Sequence, residues 1–345
     1  MGLRKYNMKN IFYFISAVCI FISCKDNKIP EVSNIKIELT IYRFEQDFFS
    51  MDTANILNEL QRLRTKYPSF ANDFTTQILG FDSSIPPDSL TKYIRLFIKD
   101  YRFVKDSADK LFGDFEVHTK EIKKGLQFVK HYFPAYNIPK QIITFIGPFD
   151  GYSDILTADA FAVGLQLHMG SNFSFYKSDV SRDIFPEYIS RKFTPEYISV
   201  NCLRNIVDDM YPDKSIGRPL IEQMVEKGKR LYLLDKFLPG TDEHLKVGYT
   251  EKQLKDSYDN EAVIWDFFLT NNLLNNADQN IVKNYIGDSP KTQELGDGSP
   301  GNIGAFSGLQ IIKKYMEKFP ETPLTELMNK APREIYSQSK YKPRT

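Results

Sequence analysis

Cysteine, histidine and tryptophan are all scarce, and each scarcity narrows the chemistry open to this chain. It has three cysteines, four histidines and one tryptophan in 345 residues. No cysteine cluster exists, so no thiolate metal site is written into the sequence. His118, His131, His168 and His244 never stand at i, i+4 on one helix face, so HExxH is absent. The patterns GxSxG, GxxxxGK[ST] and GxGxxG are missing too, which leaves no nucleophile elbow, P-loop or dinucleotide fingerprint. Neither sign of charge dominates. Lys and Arg number 45 against 44 Asp and Glu, for a formal net charge of +1, and no basic stripe suggests nucleic acid. A long hydrophobic run is lacking as well. Ile11–Ile22 (IFYFISAVCIFI) has twelve residues, short of the ~20 needed to cross a bilayer.

That short run reads instead as the core of an export leader. Arg4, Lys5 and Lys9 precede it as a positive n-region, and Phe21-Ile22-Ser23-Cys24 places a small residue directly before cysteine. The pattern resembles a lipobox, with Phe21 a less usual first residue. Residues 1–23 are therefore expected to be a cleaved lipoprotein signal, with Cys24 the lipid-bearing new N-terminus. Two or three acyl chains hold a protein stably where one does not. Residues 24–33 are polar with a proline and read as a tether, and residues 34–345 as a single globular domain. Lys25-Asp26 is too short a charged pair to assign a membrane face. Removing the leader takes away three basic residues and no acidic one, which moves the formal charge from +1 to about −2. Cys19 leaves with the leader and Cys24 is acylated, so Cys202 stands alone and no intramolecular disulfide is available. Stability must come from the core, and aromatics at 14% make that core large.

Periodicity gives an α+β class, mostly helical with a small central sheet. Ser33–Phe44 alternates apolar and polar residues as a strand does, with Glu45–Phe49 closing it. Helices are expected from Asp52 to Tyr67, Ala71 to Leu79, Pro86 onward, Asp100 to Phe112 and Glu116 to Tyr132. The β-branched run Gln141–Ile146 and the segment Ala158–Leu167 read as strands. They flank a turn at Gly147–Tyr152 and form either a hairpin or adjacent strands. Helices resume at Pro195–Met210, Arg218–Lys236, Thr250–Asn272 and Phe306–Lys318, with a short turn at Pro323–Met328. The loops Lys236–Gly248 and Tyr285–Gly304 are long enough to suggest function.

Candidate sites are few. Glu222 and Glu226 lie at i, i+4 with Lys229 and Arg230 nearby. An acid–base or ligand pair is one reading, and an ion-pair face is the favoured one. Asp259-Asn260-Glu261 reads as a cap that starts a helical segment. Cys202 sits in an apolar stretch and reads as packed, not nucleophilic. The loop Gly296, Asp297, Gly298, Ser299, Pro300, Gly301 precedes a helix. It is a candidate interaction loop that could meet an anion through backbone N–H groups, and a plain flexible loop is the favoured account.

Several stretches together resemble the gliding-motility lipoprotein GldB family. They run in order through Tyr42–Phe49 (YRFEQDFF), Tyr67–Phe70 (YPSF), His131–Pro134 (HYFP), Gly217–Ile221 (GRPLI), Met224, Gly228-Lys229 and Leu231-Tyr232. Leu238-Pro239, Gly248–Thr250, Gln253, Asn260-Glu261 and Ile264-Trp265 follow. Ser299–Gly301, Ile303-Gly304, Gly308, Gln310-Ile311, Tyr315-Met316 and Ser339–Pro343 complete the match. One departure is Leu254-Lys255, where the pattern has a tryptophan. The resemblance implies a lipoprotein of the gliding machinery, whose parts are shared with type IX secretion, and no established catalysis. The order of a strand pair and two helices also resembles the layout of gluzincin-type zinc peptidases. There the first helix carries HExxH and the second a ligand glutamate. Here Tyr197–Asp208 offers neither histidine nor glutamate, and Arg204 would repel a cation. The implied state is a degenerate zincin-like fold without its metal, with Glu226 a relic.

The expectations are accordingly a non-enzymatic scaffold or adaptor without cofactor, held to the bilayer by acylated Cys24. It would face the periplasm from the inner or outer membrane, with other gliding or secretion proteins as partners. The alternatives are a cryptic metal-dependent hydrolase using His168, His244 and Glu226, and a cell-wall-binding module built on exposed aromatics.

Overall fold

A computed structural model describes residues 29–343 except Ser83. The leader, Cys24 and the tether as far as residue 28 lie outside the described residues. Val32 is fully buried, and the compact body runs from that residue onward.

The chain opens with β1 (Thr40–Arg43), α1 (Phe44–Phe49) and α2 (Ile56–Lys66). Next come α3 (Ala71–Asp73), which continues into a π turn at Phe74–Ile78, α4 (Pro87–Asp100), α5 (Arg102–Phe112) and α6 (Glu116–Tyr132). Proline at the first position of α4 costs no hydrogen bond there, because that N–H has no partner within the helix. The strands β2 (Gln141–Phe145), β3 (Asp154–Leu156) and β4 (Ala160–Gly164) form the middle of the chain. The second half is helical: α7 (Asp179–Ile184), α8 (Glu187–Ser190), α9 (Tyr197–Met210), α10 (Leu220–Phe237) and α11 (Glu243–Val247). It ends with α12 (Glu251–Asp259), α13 (Glu261–Thr270), α14 (Gln279–Ile286), α15 (Ile303–Lys318), α16 (Leu324–Asn329) and α17 (Pro332–Ser339).

The four strands make one mixed sheet in the order β1-β2-β4-β3. β1 and β4 both run parallel to β2, and β3 is antiparallel to β4. Of the two readings open for Gln141–Ile146 and Ala158–Leu167, adjacent strands holds and the hairpin does not. The hairpin is β3–β4, and β3 is only three residues long. β2 and β4 are central and almost wholly buried, so their sequences are continuous apolar runs without alternation.

Other boundaries move for local reasons. Only Thr40–Arg43 of the expected Ser33–Phe44 strand pairs with a neighbour, because β2 starts at Gln141 and offers no ladder earlier. Phe44–Phe49 is a helix instead of a strand end, burying Phe44, Phe48 and Phe49 on one side. Leu165–Leu167 turns into a 3-10 piece beyond β4. Thr250–Asn272 is two helices. Asn260 backs its amide onto the Asp256 carbonyl at 2.8 Å, ending α12, while its own carbonyl accepts the Ile264 N–H at 3.0 Å to begin α13. The expected start of a helical segment at Asp259–Glu261 is found. Thr250 opens α12 with a capping box, its hydroxyl accepting the Gln253 N–H at 3.1 Å and Gln253 accepting the Thr250 N–H at 3.0 Å.

Two apolar clusters fill the body. The first gathers the sheet, the N-terminal helices and α9, and includes Leu233, Leu234 and Phe237 of α10. The second gathers α13–α15 and α17, and includes Leu220, Met224, Val225 and Leu231 of the same α10. α10 is thus a wall shared by both.

Candidate functional site

α10 and α15 pack on each other through glycine. A Cβ on Gly228 would lie 2.3 Å from the Gly308 carbonyl carbon and oxygen, and one on Gly308 would lie 1.8 Å from the Met224 oxygen. No other residue lets two helix backbones approach so closely. One turn of α10 places Lys229 beside this contact, 1% exposed. Its Nζ donates to Glu226 Oε1 at 2.8 Å and to the carbonyls of Met328 at 3.1 Å and Lys330 at 2.6 Å. Burial pulls the Lys229 pKa below the usual lysine range, against the pull of Glu226. Glu222 points elsewhere, to Arg333 at 2.6 Å and Arg218 at 3.6 Å. The two glutamates are ion-pair residues, as the favoured reading had it. Glu226 in particular is tied to a buried lysine that holds the end of α16.

The histidines do not converge. His118 and His131 lie on α6, His244 on α11, and His168 after the 3-10 turn that follows β4. Among the described residues no three His, Cys, Asp or Glu are grouped so as to hold a metal ion. His168 is the one deeply buried histidine, and both ring nitrogens are taken. Nε2 meets both oxygens of Asp154 at 3.0 Å, and Nδ1 meets the Thr194 carbonyl at 3.1 Å. Burial opposes a charge on this ring, but the Asp154 carboxylate and the two hydrogen bonds raise the His168 pKa above its ordinary value. Asn201 adds a bond to Asp154 Oδ2 at 2.7 Å, and Asn205 one to the Asp154 carbonyl at 3.1 Å. This is a sealed polar knot that ties β3 to α9. Cys202, on the same helix, is fully buried, and burial pushes its thiol well above the usual range.

The loop before α15 is folded upon itself. The Ser299 hydroxyl accepts from the Thr292 N–H at 3.1 Å and donates to the Thr292 carbonyl at 2.9 Å. The buried Thr292 hydroxyl donates to the Pro300 carbonyl at 2.8 Å. Gly301 is held so close to Ser289 that a Cβ would lie 2.1 Å from its carbonyl oxygen. Asp297 pairs with Lys291. Gly298, Ser299 and Pro300 line a small recess of about 210 Å³ against Asn260, Val263 and Ile264. Asn302 then starts α15 at φ +56°, and its side chain forms no cap bond.

A larger recess of about 480 Å³ opens between α9, α10 and the start of α15. Arg204, Asp208, Lys227, Arg230, Asp213 and Asn302 supply its polar wall, and Val207, Leu231, Leu234 and Val247 its apolar wall. Arg230 is committed to Asp208 at 2.8 Å and to the Tyr211 carbonyl. Burial works against the Asp213 carboxylate, but Ser215 bonds it through hydroxyl and N–H, with Arg230 and Lys227 close by, and its pKa is lowered. Arg204 uses one Nη2 bond, to the Lys246 carbonyl at 2.9 Å. Its Nε is buried without a partner, and so is Asn302 Oδ1. Burial depresses the Arg204 pKa, with Asp208 and Asp288 pulling the other way. In the sequence Arg204 is legible only as hostile to a cation. The wall itself was not foreseen, because its residues come from four separate elements.

A family model described as gliding motility protein GldB matches residues 25–343. The chain belongs to the GldB family. The family is one of lipoproteins, so a membrane-anchored place in the cell envelope is implied. No curated protein and no solved structure matches the chain. Among the described residues no helix is long and apolar enough to cross a membrane. Some of the stretches that carry the sequence resemblance fall where packing is tight. Gly228 and Gly308 make the helix contact, Lys229 the buried clamp, and Ser299–Gly301 the folded loop. Leu254, of the Leu254-Lys255 pair that departs from the resemblance, packs against the second apolar cluster.

Proposed function

We propose that this gliding-motility lipoprotein is a non-catalytic adaptor, tethered through acylated Cys24 to the periplasmic face of an envelope membrane. The tether would run from Cys24 to the folded body at Val32. The family match over residues 25–343 carries the reading, since it spans the whole folded body and starts one residue after Cys24. The side chains argue the same way. His168 has no free nitrogen, Glu226 is held by Lys229, and Cys202 is packed in the core. The hydrolase alternative needs His168, His244 and Glu226 to converge, whereas among the described residues no three His, Cys, Asp or Glu are grouped so as to hold a metal ion. Partners would be other proteins of the gliding machinery and of the secretion apparatus linked to it.

The test is Cys24→Ala in a gliding cell. The unlipidated protein should leave the membrane fraction, and spreading on agar should stop. Normal membrane fractionation together with normal gliding would overturn the anchor. His168→Gln, in protein shown to be folded, should preserve gliding. Its loss there would restore an enzymatic reading.

A further inference from the structure

We propose that the recess between α9, α10 and α15 binds a carboxylate carried on an apolar group. Two residues of its wall each carry a buried polar atom without a partner, Arg204 Nε and the Asn302 side-chain oxygen. An unpaired buried polar group is costly and rare in a folded protein, so two in one recess mark a place where something else supplies the bonds. The Asn302 side chain makes no hydrogen bond to the helix it starts, and either end of its amide can turn to a ligand. Lys227 lines the same wall near the Asp213 carboxylate, without a hydrogen-bonded ion pair among the described residues.

Charge selects the ligand class. Arg204, Lys227 and Arg230 stand against Asp208 and Asp213, which leaves one positive charge on the lining. A monoanion neutralises it, whereas a phosphate dianion would leave the site with a net negative charge. The open donors are a guanidinium Nε, an amide and an ammonium, and charge-assisted bonds from such donors to a carboxylate are the strong ones. The start of α15 adds positive potential, because its first N–H groups have no side-chain cap. Leu231, Leu234 and Val247 give the anion an apolar neighbour to carry. The volume, about 480 Å³, falls within the range of small-molecule pockets. Two sources share this chemistry: a free carboxylic acid and the C-terminal carboxylate of a polypeptide. Carboxylate binding in this recess does not depend on a role in gliding.

Calorimetry on the full chain in detergent tests it with four probes. These are N-acetyl-leucine, an eight-residue peptide ending in leucine, the same peptide as its C-terminal amide, and inorganic phosphate. Both acids should bind, and the amide should bind at least about tenfold more weakly. Peptide binding about tenfold tighter than N-acetyl-leucine assigns the site to a protein C-terminus, and equal binding assigns it to a free acid. Arg204→Gln and Lys227→Met should each weaken the acids by about tenfold or more. Should Arg204→Gln fail to fold, Lys227→Met carries the test, since that side chain is half-buried and in no hydrogen-bonded ion pair among the described residues. Failure of both acids to bind overturns the proposal. So does equal affinity for the amide or for phosphate, and so does wild-type affinity in the folded variants.

Discussion

His168 shows how a histidine without any motif can still govern stability. Its pKa is raised in the folded chain, so the protonated ring is favoured there over the unfolded state. The stabilisation is complete below the unfolded histidine value of about 6.5 and is lost as pH rises through the higher folded value. Urea midpoints of the wild-type chain should therefore fall with rising pH in that window. The His168→Gln variant should lose that part of the slope, and an unchanged slope would remove the Asp154 pairing from the account. Lys229 and Glu226 make a second pair of expectations. Lys229→Met leaves the Met328 and Lys330 carbonyls without their buried donor and should cost about 1–3 kcal/mol in urea unfolding. Glu226→Gln keeps an acceptor for Lys229 and should cost less than about 1 kcal/mol. Sequence reading found Glu226 and Lys229 as an ion-pair face, because i, i+3 and i, i+4 spacing is local. It could not find the partners of His168 or Lys229. Asp154 lies 14 residues from His168, and the Met328 carbonyl lies 99 residues from Lys229. Such bonds depend on topology and leave no spacing to read.

At the scale of elements, the α10–α15 contact is the most constrained in the fold. Gly308→Ala would put a methyl group 1.8 Å from the Met224 oxygen, so the two helices must separate. Overpacking of this kind costs ~1–3 kcal/mol, and the variant should unfold at lower urea with its helix content kept below the transition. A wild-type midpoint would mean that the helices do not meet there. Elements with a clear period were legible: α6 has the boundaries read from the sequence, and α4, α9, α10 and α15 differ by a few residues. What escaped was set by context. β3 is three residues long and carries too little pattern. α1 follows directly on β1, so its two-turn apolar face looked like the strand running on. The parallel pairing of β2 and β4 could not be separated from a hairpin, because both strands are apolar throughout and neither alternates. The composition of the loop before α15 suggests a plain, flexible segment. The loop is held by hydroxyl-to-backbone bonds from Thr292 and Ser299, which composition alone does not disclose.

For the whole molecule, the shared wall matters more than either core. α10 sends Leu233, Leu234 and Phe237 into the first cluster, and Leu220, Met224, Val225 and Leu231 into the second. α16 does the same with Met328 in one and Leu327 in the other, while Leu324 touches both. Neither cluster can open without exposing apolar surface of a helix the other depends on, at roughly 25 cal/mol for each Å² uncovered. Unfolding should therefore be a single transition. The chain supplies its own probe, because Trp265 is its sole tryptophan and is buried in the second cluster against Tyr341, with ring centroids 4.9 Å apart. Far-UV circular dichroism reports the helices of both clusters. Its urea midpoint should coincide with that of Trp265 fluorescence. If the fluorescence moves first while most helix signal remains, the second cluster opens independently, and α10 does not couple the two.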